Sequence, residues 1–327
     1  MAHHHTATCG CGKRARLNKA VGDESLFGPE LEQIFARTLV DAIKELRRNV
    51  GSAEVNAMIR QSVEQAITAL DAVFALTDVA GIVNLMTQEI LKAGLSQAAE
   101  LPASTGIQYR FDVSDPRAIA WARNRAGQLI SNITDEVRVK VGDVTARLLD
   151  GEITIREARN EIARNVGLHD RWQKAVDNSY DASVKELLDQ GYDLDQAEQM
   201  AQDIADAYAQ RLINTRAMNI ARTELATAQN QGRYLGWQQS AEAGMFNVAT
   251  TVKEWRTAPE FVSSKTEVCP ICEPLDGMQA PVFEEFAEVN ILMPPAHPNC
   301  RCRAVLIPQP IEDVISQVEQ ARIKYGY

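Results

Sequence analysis

The sequence predicts a mainly α protein, in which an extended helical body is followed by a small α+β module at the C-terminus. Up to Gly244, apolar residues recur at spacings of three and four residues, which is the period of a helix. Nine of the twelve prolines lie after Gly244, and they exclude helix over most of that stretch. Aromatic residues make up only 6% of the 327 residues, so the body must pack mainly through aliphatic side chains.

The polar residues 1–24 are predicted to form a flexible N-terminal tail. The tail contains His3, His4, His5, Cys9 and Cys11. A tract rich in Cys and His can bind a metal. We favour a tail without a specific site, because mobile termini rarely hold ligands in a fixed arrangement.

Residues 25–150 are predicted to form a helical N-terminal domain. Its helices are expected over Pro29 to Arg48, over about Val55 to Leu70, over Val79 to Ala99 and from Pro116 to just before Gly151. The last of these starts at Ser114-Asp115-Pro116, which combines a capping side chain with proline in the first turn. Between the third and fourth helices, Tyr109, Phe111 and Val113 alternate with polar residues and predict a short extended segment.

Residues 151–244 are predicted to form a second helical domain. Thr154 and Glu157 have the spacing of a capping box and open a short helix that Gly167 closes. A further helix is expected from His169 to Gln190. Asp195 is predicted to cap the next one, which runs to about Ala243 and is long enough to suggest a break near Asn214.

Residues 245–310 are predicted to form the small module of short strands and turns, and residues 311–327 a C-terminal helix. Val248 to Thr257 is rich in β-branched residues and indicates the first strand. The sequence from Leu275 to Gly277 is typical of a turn.

The charge of the chain limits the classes of function. A formal net charge of −10 argues against a protein that coats nucleic acid over its whole surface, because such binding depends on many Lys and Arg contacts to phosphate. We find no run of about 18 apolar residues, so no membrane-spanning helix is expected. The first 16 residues contain no apolar stretch of the kind found in secretory signals.

Four of the six cysteines lie close together in the module, and they predict a metal site. Cys269 and Cys272 form a Cys-x-x-Cys pair, and His297, Cys300 and Cys302 follow after a loop. A Cys-x-x-Cys turn places two thiolates where both can reach one tetrahedral Zn²⁺ at about 2.3 Å. Zinc would also supply folding free energy, on the order of 10 kcal/mol, to a segment too short to bury a large core.

Five candidate ligands compete for four positions. We favour Cys269, Cys272, His297 and Cys300, since both halves then share the same spacing, with Cys302 as a substitute for His297 or Cys300. A closed set of four ligands is typical of structural rather than catalytic zinc. Disulfides and a redox-active Cys-x-x-Cys are weaker alternatives, because neither a secretory signal nor a thioredoxin-like βαβ pattern accompanies the cysteines. The predicted fold class is therefore mainly α, with a helical body and a small α+β zinc-stabilised C-terminal module.

Several motifs follow one another between about Gly151 and Pro308. They are Ile220-Ala221-Arg222-Thr223-Glu224, then Trp255 and Thr257, then Cys269-Pro270-Ile271-Cys272, then Leu275-Asp276-Gly277, and finally Pro294-Pro295-Ala296-His297-Pro298-Asn299-Cys300-Arg301-Cys302. In this order they resemble the phage Mu F-like head morphogenesis family of minor head proteins. The last motif is the most specific of these.

This resemblance implies a minor capsid component of a tailed bacteriophage that is made with the portal protein. Its expected location is the interior of the phage head near the portal, with the host cytoplasm as the place of assembly. The expected partners are the portal protein and other head proteins, with packaged DNA as a further candidate and no membrane. Some members are thought to affect DNA packaging or to leave the head with the DNA.

Arg222, Glu224 and Trp255 are predicted to lie at the contact between the helical body and the module. Residues two apart on a helix face different directions, so Arg222 and Glu224 must have different partners. We weigh two interpretations of Arg222, which are docking to the module through carbonyls or a carboxylate and a solvated helix face.

Two other classes of function remain open, although we expect no enzyme. A metal-dependent nuclease would need an open metal position and a general base, for which Glu284, Glu285 and Glu288 are the candidates. A zinc-knuckle nucleic-acid-binding module would use the cations Arg256, Lys265, Arg301 and Arg303. A loop of solvated acids and the acidic net charge weigh against these two classes.

Overall fold

Helices account for most of the chain that the structure describes. The computed structural model describes residues 29–50, 62, 64–65, 68, 80–100, 110–257 and 270–308. Its continuous helices are α1 Pro29–Val50, α2 Ala80–Glu100, α3 Pro116–Leu149, α4 Ile155–Asn165, α5 Asp170–Asp189 and α6 Leu194–Glu242. The mainly α fold class predicted from the sequence is confirmed. The predictions for the tail, for Val55 to Leu70 and for residues 311–327 lie mainly or wholly outside the described residues.

Helix α6 is the central element, with α1, α2, α4 and α5 packed on it. Small side chains make this close packing possible, because Ala197, Ala201, Ala205 and Ala209 recur every fourth residue and are fully buried. At Gly232 the approach of α2 is closer still, since a Cβ added there would lie 2.2 Å from the carbonyl oxygen of Ile90.

One large hydrophobic cluster runs through the described part of the helical body, in addition to two smaller ones. It joins residues of α1, α2, α3, α5 and α6, with Phe35 at one end of the sequence range and Leu235 at the other. The segments predicted as two helical domains, residues 25–150 and 151–244, therefore share a core. Their boundary at residue 150 stays a prediction.

The helix ends follow the predicted capping signals closely. Asp115 accepts a hydrogen bond from the Arg117 N–H at 2.9 Å and caps α3. Thr154 and Glu157 form both bonds of the capping box that starts α4. Gly151, Gly167 and Gly191, which follow α3, α4 and α5, have φ values of 78°, 85° and 93°, a conformation that glycine adopts without strain.

Two local predictions are wrong. Asp193, not Asp195, caps α6, because its carboxylate accepts from the Gln196 N–H at 2.8 Å. Helix α6 continues for 49 residues without a break near Asn214. Its buried small residues pack along the neighbouring helices, and this tertiary contact outweighs the weak helix propensity of asparagine. Phe111 is buried, residues 110–112 belong to neither a helix nor a strand, and a turn begins at Val113, while Tyr109 lies outside the described residues.

The module contains a three-stranded antiparallel sheet in the order β2-β1-β3, formed by β1 Thr251–Arg256, β2 Gln279–Pro281 and β3 Arg303–Pro308. Val252 faces Pro281 on one side of β1 and Ile307 on the other. A short 3₁₀ turn, Glu273–Leu275, precedes β2. The predicted small α+β module of strands and turns is confirmed.

Within the described part of the chain, no helix combines the length and the apolar character needed to cross a lipid bilayer.

Candidate metal centre

Two turns carry Cys272, His297 and Cys300, which are three of the candidate ligands. In the first, the Leu275 N–H donates to the Cys272 carbonyl at 3.0 Å, so Cys272 stands at the start of the 3₁₀ turn. In the second, the Cys300 N–H donates to the His297 carbonyl at 3.1 Å. Asn299, inside that turn, has a φ of 62°, which asparagine tolerates better than most residues.

The sulfur atoms of Cys272, Cys300 and Cys302 all lie within 4.8 Å of one another. The Cys272 and Cys300 Sγ atoms are 3.7 Å apart. Two thiolates bound to one tetrahedral zinc at about 2.3 Å are separated by about 3.8 Å, so this spacing fits a shared ion. All three side chains are buried, so a bound ion would be shielded from water.

His297 lies beside this group of three thiols. Its Nε2 is 3.1 Å from the Cys272 Sγ, and its Nδ1 is 2.8 Å from the Pro298 carbonyl oxygen. A proton on Nδ1 would be bound to that carbonyl and would leave the Nε2 lone pair for a metal. Cys269 lies outside the described residues, as do Cys9 and Cys11.

The structure thus brings together three of the five predicted ligands and places a fourth against one of them. Cys302, expected only as a substitute ligand, belongs to the group of three and is as buried as Cys300. Which four of the five bind a metal stays a prediction.

The chemistry of this donor set fits a cation. A hydrogen bond from the Cys302 thiol lowers the pKa of Cys300 to about 5. The same bond, together with burial, raises the pKa of Cys302 above its ordinary value. The cluster on its own therefore favours one thiolate and resists a second. A divalent ion would remove this conflict, because each thiolate would then face a positive charge.

A hydrophobic cluster surrounds the thiols and joins the module to α6. Trp255 of β1 is fully buried there and meets Phe286 edge to face, with ring centroids 5.3 Å apart. Trp237 of α6 belongs to the same cluster. The module therefore completes its core with a side chain from the long helix.

Polar contacts fix the second ligand segment to α6. The Asn299 N–H donates to Thr223 Oγ1 at 3.0 Å. The side-chain amide of Asn230 donates to the Cys302 carbonyl at 3.1 Å and accepts from the Ala304 N–H at 3.3 Å. Thr223 belongs to the motif recognised in the sequence. Asn230 was missed, since a lone asparagine in a helical pattern carries no sequence signal of its own.

Arg222 and Glu224 have different partners, as expected. Glu224 forms two hydrogen bonds with Arg125 of α3, at 2.7 and 2.9 Å. Arg222 donates to Glu32 of α1 at 2.8 Å. Arg222 thus bonds a carboxylate of α1 rather than one of the module. The module reaches the same carboxylate through Arg301, whose Nη2 is 3.4 Å from Glu32.

The turn after Cys272 is tied back to β1. Asp276 accepts from both the N–H and the hydroxyl of Thr257 at 3.0 Å, and the Gly277 N–H donates to the Trp255 carbonyl at 2.9 Å. These bonds explain why Trp255, Thr257 and Leu275-Asp276-Gly277 occur together as motifs: they form one corner of the module, next to the candidate ligand Cys272.

The structure also describes most of the residues named as candidates for a nuclease or a nucleic-acid-binding module. Glu284, Glu285 and Glu288 are exposed. Arg256 pairs with Glu254 at 2.7 Å, and Arg301 is engaged by Glu32, so these two cations already face carboxylates. Lys265 lies outside the described residues.

Comparison with protein families connects this site to the prediction from the sequence. Residues 182–305 match the family model described as Phage Mu protein F like protein, which confirms the predicted resemblance. The matched segment contains all of α6, most of the module and every predicted ligand. It supports a phage protein related to the head. Comparison with curated proteins gives no match, and neither does comparison with solved structures.

Proposed function

We propose that this chain is a structural minor head protein of a tailed bacteriophage. In this proposal it acts in head morphogenesis inside the head near the portal, and its partners are the portal protein and other head proteins. The family match over residues 182–305 supports the phage assignment. Packaged DNA is a further proposed partner, consistent with a role in DNA packaging or ejection.

We propose that zinc bound by the thiols holds the C-terminal module in its folded shape, and that the role is not enzymatic. The observation that carries this is the group of three buried sulfurs within 4.8 Å of one another. A fourth ligand, for which Cys269 and His297 compete, would close the site. A closed site offers no position to a substrate, which suits a structural role.

The location is tested on particles. Mass spectrometry of purified heads and cryo-EM of the portal vertex are expected to find the chain inside, in few copies. Recovery of the chain only from the host cytoplasm, with none in heads, would remove the proposal.

The zinc role is tested with Cys272→Ser and Cys300→Ser in the full chain. Each variant should lose bound zinc, of which we expect one per wild-type chain. The module should become sensitive to protease while the helical circular dichroism of the body is kept, because the body has its own core. A matched control is Ser183→Ala in α5, far from the thiols along the chain. Reduced wild-type protein without metal but with a protease-resistant module would refute this role.

A further inference from the structure

We propose that Asn230 of α6 is a positioning residue for the metal centre, and that it fixes the place of the Cys302 sulfur. This inference rests on the proposed zinc role. It assigns to the long helix a part in metal binding, although none of the predicted ligands belongs to that helix.

Asn230 binds the backbone at the beginning of β3 through its side-chain amide. Its amide donates to the Cys302 carbonyl at 3.1 Å and accepts from the Ala304 N–H at 3.3 Å. These two groups flank Arg303 and are the ones that a neighbouring β-strand would engage. Asn230 therefore takes the place of a strand at the beginning of β3.

The contacts of Asn230 hold the segment that carries Cys300 and Cys302. Residues 300–302 belong to neither a helix nor a strand. Within the described residues their backbone is held at one end by the turn at His297 and at the other by Asn230. The Asn299 N–H donates to Thr223 Oγ1 at 3.0 Å, two helical turns earlier on the same face of α6. Thr223 and Asn230 of α6 thus both bind the segment that carries Cys300 and Cys302.

Asn230 is itself held in place. It is only 1% exposed, and its second amide hydrogen donates to the Ala226 carbonyl of its own helix at 3.0 Å. Both hydrogens and the oxygen of the amide are therefore in use. Helix α6 holds the amide in place, and the amide holds the backbone of Cys302. The thiol of Cys302 is therefore positioned before an ion binds. Groups that orient metal ligands in this way typically contribute about 10–100-fold in metal affinity.

The test uses Asn230→Asp in the full chain. The substitution keeps the size of the side chain and the acceptor for Ala304, but it removes the donors to Cys302 and Ala226. Asn214→Asp is the matched control, because Asn214 is exposed on the same helix and only accepts a bond from Gln210. Zinc affinity and zinc release are measured by competition with a chromophoric chelator. The absorption spectrum of the Co²⁺-loaded protein reports on ligand geometry.

We expect Asn230→Asp to bind zinc about 10–100-fold more weakly than Asn214→Asp and to shift the Co²⁺ bands, while the helical circular dichroism is unchanged. Equal zinc affinity and equal Co²⁺ spectra in the two variants would overturn the inference. Wild-type protein that binds no zinc would instead overturn the zinc role on which it rests.

A second variant covers the case in which Asn230→Asp does not fold. Thr223→Val keeps the shape of the side chain and removes the acceptor for the Asn299 N–H. It should also weaken zinc binding, because it frees the same segment at its other contact. A folded Thr223→Val protein with wild-type zinc release would contradict the role of α6 in positioning the ligands.

Discussion

At the scale of single residues, one buried lysine connects two parts of the module. Lys253 lies in the central strand and is fully buried. Its Nζ donates to the Leu292 carbonyl at 2.6 Å and to the Glu284 carbonyl, and it lies 5.0 Å from the centre of the Phe286 ring. One ammonium group thereby ties the loop of residues 282–292 to β1.

Lys253 also makes a prediction about pH. Burial lowers the pKa of this group to about 8 from the 10.5 of an exposed lysine. Between these values the unfolded chain holds a proton that the folded chain has released, so the contribution of Lys253 to the free energy of unfolding rises with pH from about 8 to 10.5. Below pH 8 the full cost of burying the charge is present.

We therefore expect the stability of wild type relative to Lys253→Met to increase by roughly 1–2 kcal/mol between pH 7.5 and pH 9.5. Urea unfolding at the two pH values measures this, and titration of the other groups cancels in the difference. Lys174→Met, at an exposed lysine of α5, should show no such increase. A constant difference between wild type and Lys253→Met would mean that the buried amine keeps an ordinary pKa.

At the scale of elements, two glycines inside helices have opposite roles. A Cβ at Gly127 of α3 would meet no atom within 4 Å, whereas a Cβ at Gly232 of α6 would collide with the backbone of α2. Glycine weakens a helix relative to alanine, so its presence at Gly127 carries a cost without a packing reason. At Gly232 the missing side chain is what allows the two helices to touch.

We expect Gly127→Ala to raise the free energy of unfolding by about 0.5–1 kcal/mol. Gly232→Ala should lower it by about 1–3 kcal/mol, because α2 and α6 must move apart. Thermal or urea unfolding of the two variants beside wild type measures both effects. A Gly232→Ala protein as stable as Gly127→Ala would show that the two helices do not approach as closely as described.

The elements could be predicted from the sequence where the signal is local. Capping side chains at Asp115 and Thr154 and the glycines after the helices locate most helix boundaries within a residue or two. The continuity of α6 could not be predicted, because it depends on helices that pack against its alanine face. The same holds for the site: the spacing of cysteines predicts the thiols, but Asn230, Glu32 and Lys253 acquire their roles only from neighbours distant in sequence.

At the scale of the whole molecule, Glu32 links three parts of the chain. Its carboxylate is only 7% exposed and lies between Arg222 of α6 and Arg301 of the module. The first helix of the body, the long helix and the segment that carries the candidate ligands therefore meet at one side chain.

Removing the charge of Glu32 should loosen both α1 and residues 297–302. We expect Glu32→Gln to lower the free energy of unfolding by about 2 kcal/mol, since one of the two charged hydrogen bonds loses its acceptor and the other loses the negative charge of its acceptor. Hydrogen exchange should become faster both in α1 and in residues 297–302. The control is Glu30→Gln, at an exposed position on the same helix. Faster exchange confined to α1 would show that Arg301 does not couple the module to the body.

The length of α6 has a mechanical consequence. At about 1.5 Å of rise per residue, the first residue of α6 lies roughly 45 Å along the axis from the turn that Thr223 occupies beside the module. A tilt of about 5° around that end would sweep the far tip by about 4 Å, by simple trigonometry on the same rise. A small change of tilt beside the candidate ligands would thus be magnified at the far tip of the helix, as along the arm of a lever.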